Sequence, residues 1–310
     1  MTTHYLVSDT TASGWEQTVY AFLAEKERRS GSMRTVQAYS RMLFHFLGAL
    51  GKTPEEVTSP DVFPYAHSIG LSGRKPSSVT IAARIACLSS FYRFLIRMSL
   101  VSGNPCDKLG RPRATPAPPR GLAATDIQKL LSVIPETPVG LRDRAIILSL
   151  RLTGRRRSEV LGLKVGDLNP EGGSVYYTYR GKGGKQGKRE LSQPALEAIK
   201  SSWTAFGKEL SAMEQGDSLW PSSSNKSRGI TSGTFYGNLH RYLKAAGLPL
   251  SGVHVFRHSA AKLRRDAGES IEEVSRFLDH SSLALTSIYL RRLEGDQDNT
   301  WQQVAEAIGL

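Results

Sequence analysis

Between Arg111 and Gly121 the chain reads RPRATPAPPRG, and this stretch limits what the rest can fold into. Proline fixes its own backbone angle and breaks helices, and the segment has no apolar period to bury. It reads as a semi-stiff linker, so the 310 residues divide into two folding units rather than one. The expected layout is a helical unit at 12–110, the linker at 111–121, a second unit at 122–292 and a tail helix at 293–310.

The first unit reads as four or five helices. WEQTVYAFLAEKER carries Val19, Phe22 and Leu23 at helical spacing; SMRTVQAYSRMLFHFLGAL repeats the pattern with Val36, Tyr39, Met42, Leu43 and Phe46. A short helix opens at Ser59, and KPSSVTIAARIACLSSFYRFLIRM supplies a longer one capped by Ser77 or Ser78. These make a small bundle. Arg34, Arg74 and Lys75 sit where helices start, a placement that suits phosphate contact.

In the second unit TDIQKLLSVI starts a helix with Thr125 as its cap, and GLRDRAIILSLRLTG follows with an apolar run from Ala145 to Leu150. Val175, Tyr177 and Tyr179 alternate with Tyr176 and Thr178, the period of a strand. A glycine-rich, lysine-studded turn and a return strand from Arg189 complete a β-hairpin, and the chain is helical again from Pro194. The fold class is mainly α with a small antiparallel sheet.

Charge narrows the function. Lys and Arg number 41 against 28 Asp and Glu, a net +13 that points to a polyanionic partner, nucleic acid above all. Two cysteines without a CxxC pair argue against a disulfide framework or structural zinc. No run approaches the roughly 18 apolar residues of a membrane span, and the N-terminus lacks a signal-peptide pattern, so the expected location is the cytoplasm.

VHVFRHSAAKLRRDAG places His254, Arg257 and His258 on one short helix. Histidines four apart suit zinc, with Asp279 and His280 downstream, but zinc enzymes place a glutamate between them and here stand Val255, Phe256 and Arg257. GKGGKQGK fails as a nucleotide loop: Arg189 follows Gly187-Lys188 where Ser or Thr is needed, and the segment lies between strands. What remains is an anion grip, in which guanidinium forks and a histidine clamp a phosphodiester and a lysine or histidine moves the proton. The nucleophile then has a candidate in Tyr289 of LDHSSLALTSIYLRR.

Taken in order, these residues resemble the tyrosine recombinases, or phage integrases. TGRRRSE matches the family's Thr-Gly-x-Arg-x-Ser-Glu and places the first catalytic arginine at Arg156, between Gly154 and Ser158, with Glu159 as a supporting acid. Lys182 is the hairpin lysine, HVFRH gives His254 and Arg257, LDHSS gives His280, and Tyr289 is the nucleophile. His258 supports the site. The match runs over 121–290, and the first unit resembles the family's SAM-like core-binding domain, which adds Ser77 and Arg84 to Arg34, Arg74 and Lys75 as DNA contacts. Two positions depart from the pattern. The usually apolar neighbours of Arg156 are Arg155 and Arg157, expected to matter less than Arg156 itself, and Asp279 stands where a glycine commonly precedes the late histidine. Asp279 either orients His280, raises its pKa, or points to solvent.

The resemblance implies site-specific strand exchange through a 3′-phosphotyrosine, by four copies on two duplexes at a short inverted-repeat crossover site. No metal, nucleotide or other cofactor is implied, because the phosphotyrosine keeps the energy of the broken bond. Only about a dozen residues precede the first helix, which leaves no room for a separate arm-binding domain. Type IB topoisomerase-like relaxation, a metal-dependent nuclease and a non-catalytic DNA-binding regulator are the alternatives. In the tail, Trp301, Val304, Ala305 and Ile308 line one face of a helix too short to stand alone, so it docks on its own domain or on a neighbouring copy.

Overall fold

Apolar side chains at helical spacing need a common interior, and each unit builds its own. The computed structural model describes residues 14–70, 73–110, 112, 121–181, 184, 186–222 and 229–280. Lys182, Tyr289, the tail at 293–310 and most of the linker lie outside the described residues. The chain separates into two compact units, Met1–Pro116 and Ala117–Leu310.

The first unit holds α1 (Gly14–Ser30), α2 (Met33–Leu50), α3 (Ser59–His67) and α4 (Ser78–Arg97). Ser32 and Ser77 cap α2 and α4 by accepting the N–H of Thr35 and Thr80. Helix α2 stops at Gly51, whose φ of 65° few other residues tolerate. Val19, Phe22, Val36, Leu43, Phe46, Phe91 and Leu95 meet in the interior, while Tyr39 and Met42 pack at its edge. By length and composition alone α4 qualifies as a membrane span, contrary to the expectation of no such run. Its apolar residues are instead taken up by α1, α2 and α3, and Ile85, Leu88, Phe91, Phe94 and Leu95 are buried there.

The second unit is organised around α6 (Pro138–Thr153), against which α7 (Arg157–Leu161), α8 (Gln193–Ala205), α9 (Ser232–Ala245) and α10 (His254–Asp266) pack. Helix α5 (Ala124–Ser132) precedes α6 and α11 (Ile271–Leu278) follows α10. Thr125 is not the cap of α5. Ala123 holds that place, and the Asp126 carboxylate accepts its N–H at 3.2 Å. The sheet has three antiparallel strands in the order β1 (Leu168–Glu171), β2 (Ser174–Arg180) and β3 (Gln186–Glu190). Strand β1 leaves no alternating pattern in the sequence, because LNPE is short and contains a proline, which is tolerated here on an edge strand. Strand β3 begins three residues before Arg189, pairing Gln186 with Arg180.

One sealed polar knot fastens α6 to its neighbours. Arg142 and Asp143, 2% and 0% exposed, pair at 2.8 Å; Asn238 and Tyr242 of α9 donate to the same carboxylate, and Arg142 donates to the Pro221 carbonyl.

Candidate active site

Helix α6 ends at Gly154, and the site begins there. Gly154 has φ 61°, and a Cβ on it would lie 2.5 Å from Phe277 and 3.0 Å from Leu278, so only glycine fits. Its carbonyl accepts Nη1 of Arg257 at 2.7 Å, and the Leu278 carbonyl accepts Nη2 at 2.5 Å. Arg257, on the first turn of α10 and buried, thus joins the C-terminal ends of α6 and α11, where helix carbonyls lack partners.

Arg156 is the N-cap of α7 rather than a member of the helix that carries Glu159, with extended backbone at φ −69° and ψ 149°. The Glu159 carboxylate, buried, accepts both the Arg156 N–H and Nη1, each at 2.8 Å. The guanidinium is thereby aimed while a third of the side chain stays exposed (33%).

His254 opens α10 and is exposed. Its pKa lies below the ordinary histidine value through partial loss of hydration and through the charges of Arg157, Arg257 and Arg156. His258, one turn on, is pushed down to about 4 by burial, His254 and Arg257. His280, immediately after α11, also comes down to about 4, through burial first and then Arg257, Arg156 and Arg155. Asp279 raises the His280 pKa, as one reading allowed, but burial and the three guanidiniums outweigh it. The structure therefore gathers Arg156, Arg257, His254 and His280 around one place, with both imidazoles neutral at pH 7.

Nor does Asp279 simply point to solvent. Its carboxylate accepts from Arg155 and from the Tyr179 hydroxyl, and from Arg189 at 2.9 Å. Burial opposes its charge, but the Tyr179 hydroxyl and the two guanidiniums prevail and hold its pKa below the usual aspartate value. Arg155 is 1% exposed and lies over the Tyr179 ring at 4.6 Å, so surroundings this closed no longer predict a mild effect for its loss. Tyr179 and Arg189 are legible in the sequence as strand residues only, because an alternating strand names no partner. Arg155 and Asp279 were legible only as two separate departures.

Among the hairpin lysines, Lys188 pairs with Glu171 and lies 5.0 Å from the Tyr176 ring centroid; Lys182 and Lys185 are outside the described residues. In the first unit Arg34, Arg74, Lys75 and Ser77 are exposed at the starts of α2 and α4. Arg84 differs. Its Nη1 donates to the carbonyls of Tyr65, Ala66 and Ser68 at 2.8–3.1 Å, which commits it to closing the end of α3.

Residues 120–295 match the phage integrase family, and residues 20–99 match the phage integrase N-terminal SAM-like domain. The chain is 30% identical over 280 residues to tyrosine recombinase XerD of Rhizobium meliloti, covering 86% of this chain and 87% of that one. It is 28% identical over 273 residues to tyrosine recombinase XerC of Pelotomaculum thermopropionicum, covering 84% and 88%. A lambda integrase tetramer bound to a Holliday junction has a similar fold, with a TM-score of 0.70 at 17% identity over 94% of this chain and 81% of that one.

Proposed function

The chain belongs to the phage integrase family, and from that premise we infer that it is a tyrosine recombinase whose site is built from Arg156, Lys182, His254, Arg257, His280 and Tyr289. The observation that carries the residue assignment is the convergence of Arg156, Arg257, His254 and His280 from three separated segments. Two guanidiniums and two neutral imidazoles suit a phosphodiester that gathers charge on its non-bridging oxygens. The Tyr289 oxygen attacks phosphorus in line, the bond to the 5′ oxygen breaks, and a 3′-phosphotyrosine forms. His254, neutral at pH 7, takes the phenol proton, and Lys182 gives one to the departing 5′ oxygen. Attack by the 5′ hydroxyl of the exchanged strand reverses these steps and releases the tyrosine, so no external energy source is needed.

The assembly we assign is a homotetramer on two duplexes that carry short inverted repeats; the lambda integrase of similar fold is a tetramer bound to a Holliday junction. Arg34, Arg74, Lys75 and Ser77 supply contacts to the DNA backbone from the first unit, with Arg84 bracing them. We place the activity with the DNA, in the cytoplasm.

One experiment tests the chemistry. The protein is incubated with sheared genomic DNA in EDTA, covalent complexes are captured, and the attached peptide and DNA ends are sequenced. Tyr289 linked to a 3′ phosphate at recurring, partly palindromic sites is the expected result. Absence of any adduct would leave a metal-dependent nuclease or a non-catalytic regulator, and an adduct that gives relaxation without exchanged junctions would mean a topoisomerase.

A further inference from the structure

We propose that Asp279 is a positioning residue of this site: clasped by Arg155, Tyr179 and Arg189, it fixes the left-handed turn that sets His280 beside Arg156 and Arg257. The inference deepens the recombinase reading and rests on it for what His280 does.

The backbone supplies the first argument. Asp279 ends α11 with φ 50° and ψ 47°, a conformation most side-chain-bearing residues avoid. Aspartate is among the few that enter it, and here the side chain gives the turn its reason. The carboxylate is met by Arg155 from the loop after α6, Tyr179 from β2 and Arg189 from β3. Arg189 also donates to the Arg276 carbonyl at 2.9 Å, closing the last turn of α11 from the same side. One carboxylate thus joins three segments that nothing in the local sequence brings together.

The second argument is adjacency. Arg155 precedes Arg156 in the chain, and Asp279 precedes His280. Their ion pair therefore ties together the peptide neighbours of two groups assigned to the phosphate. Arg155 is buried between the Tyr179 ring at 4.6 Å and the Phe277 ring at 5.8 Å, with Nε on the Thr153 carbonyl at 3.3 Å. A guanidinium sealed in this way holds its carboxylate in one place. Because Tyr179 and Arg189 stand on paired strands, the clasp also anchors the base of the β2–β3 hairpin, whose connection contains Lys182.

The test reads His280 without DNA, so it stands even if no covalent adduct is found. Histidine ring signals are followed by NMR between pH 5 and pH 8 in the full chain, with His280 assigned by loss of its signal in His280→Gln. In the parent protein His280 stays neutral throughout. In Asp279→Ala the turn opens, His280 leaves the arginines, and its pKa climbs from about 4 toward the ordinary 6.5. Arg155→Leu does the same. The double variant Arg155→Leu/Asp279→Gly removes both charges and puts glycine in the left-handed turn, and it returns His280 to its untitrated state.

Two outcomes would overturn the proposal. If Asp279→Ala lowers Tm while His280 remains neutral to pH 5, the ion pair only braces the fold or acts as a charge that favoured the imidazolium. If the double variant shows the sum of the single defects instead of rescue, the pair does not act as a unit. Should either single variant fail to fold, Asp279→Asn, which keeps the shape and tolerates the turn, is compared with the double variant by the same signal. On captured DNA the single variants slow cleavage by about 10- to 100-fold, the scale of a small misplacement, with the double variant recovering most of it.

Discussion

The two units bury different things. Among the described residues, the first unit seals no charged side chain; Ser89 and the Tyr92 hydroxyl, which donates to the Pro54 carbonyl, are buried in its largely apolar interior. The second seals Arg142, Asp143, Arg151, Arg155, Glu159 and Arg257. Burying a charge costs several kcal/mol before pairing repays it, and an apolar core is often at least as stable. Stability alone therefore does not account for the second interior. Its charges fall into two groups: a closed knot at Arg142 and Asp143, and a row at the end of α6 that leads outward to Arg156. The row that reaches the surface is where we place the chemistry.

The sharpest way to break this contrast is at the nucleophile. Tyr289→Phe is expected to abolish cleavage and leave DNA affinity almost unchanged, since no cationic contact is lost; gel-shift and adduct assays on one DNA decide it. A covalent adduct from the Phe variant would move the nucleophile elsewhere.

The units should agree in one respect, their exposed cations. Affinity for DNA is expected to fall roughly 1000-fold or more between low and moderate salt as counterions are displaced from several phosphates. A flat salt titration would count against phosphate contacts from either unit.

Next come the arginines of the outward row. Arg156→Ala and Arg257→Ala should each slow cleavage by about 100- to 1000-fold, with much smaller losses in binding. Arg257→Ala should also lower Tm, because it strips partners from the Gly154 and Leu278 carbonyls, and Arg156→Ala should lower it too, because the buried Glu159 carboxylate keeps the Arg156 N–H but loses its cation. Equal rate losses at Arg157→Ala would argue against Arg156 as the arginine that enters the site.

The interiors themselves can be compared directly. Arg142→Ala leaves Asp143 buried without its cation and is expected to cost about 3–5 kcal/mol. Ser89→Ala removes one hydrogen bond from Asn104 and should cost only about 1 kcal/mol. Urea unfolding of both variants measures the difference, and similar losses would dissolve the contrast.

A further contrast is read in pH. His258 and His280 are held at about 4 in the folded chain, below their ordinary 6.5, so the unfolded chain takes up protons first as pH falls. Stability should decline from about pH 6.5 and level off, for these two groups, near pH 4. Replacing both by Gln should flatten that part of a Tm–pH curve, and an unchanged slope would mean the imidazoles are not shielded as described.

What the sequence determined by itself is what local spacing can carry. The helices of the bundle follow from apolar residues three and four apart, the β2–β3 pair from alternation, and the split into two units from a proline-rich stretch that nothing can bury. The order of TGRRRSE, HVFRH and LDHSS was enough to suggest the family and its chemistry. Only the tertiary structure decided what each charge does. Glu159 and Arg156 are three apart in the chain, yet their link runs through a cap rather than a helix face. Arg155 and Asp279 are 124 residues apart, and as sequence they are two unrelated oddities. Folding buries one and curls the other into a left-handed turn beside it. A charge shows in the sequence, but its solvent exposure and its partner exist only once distant segments have packed.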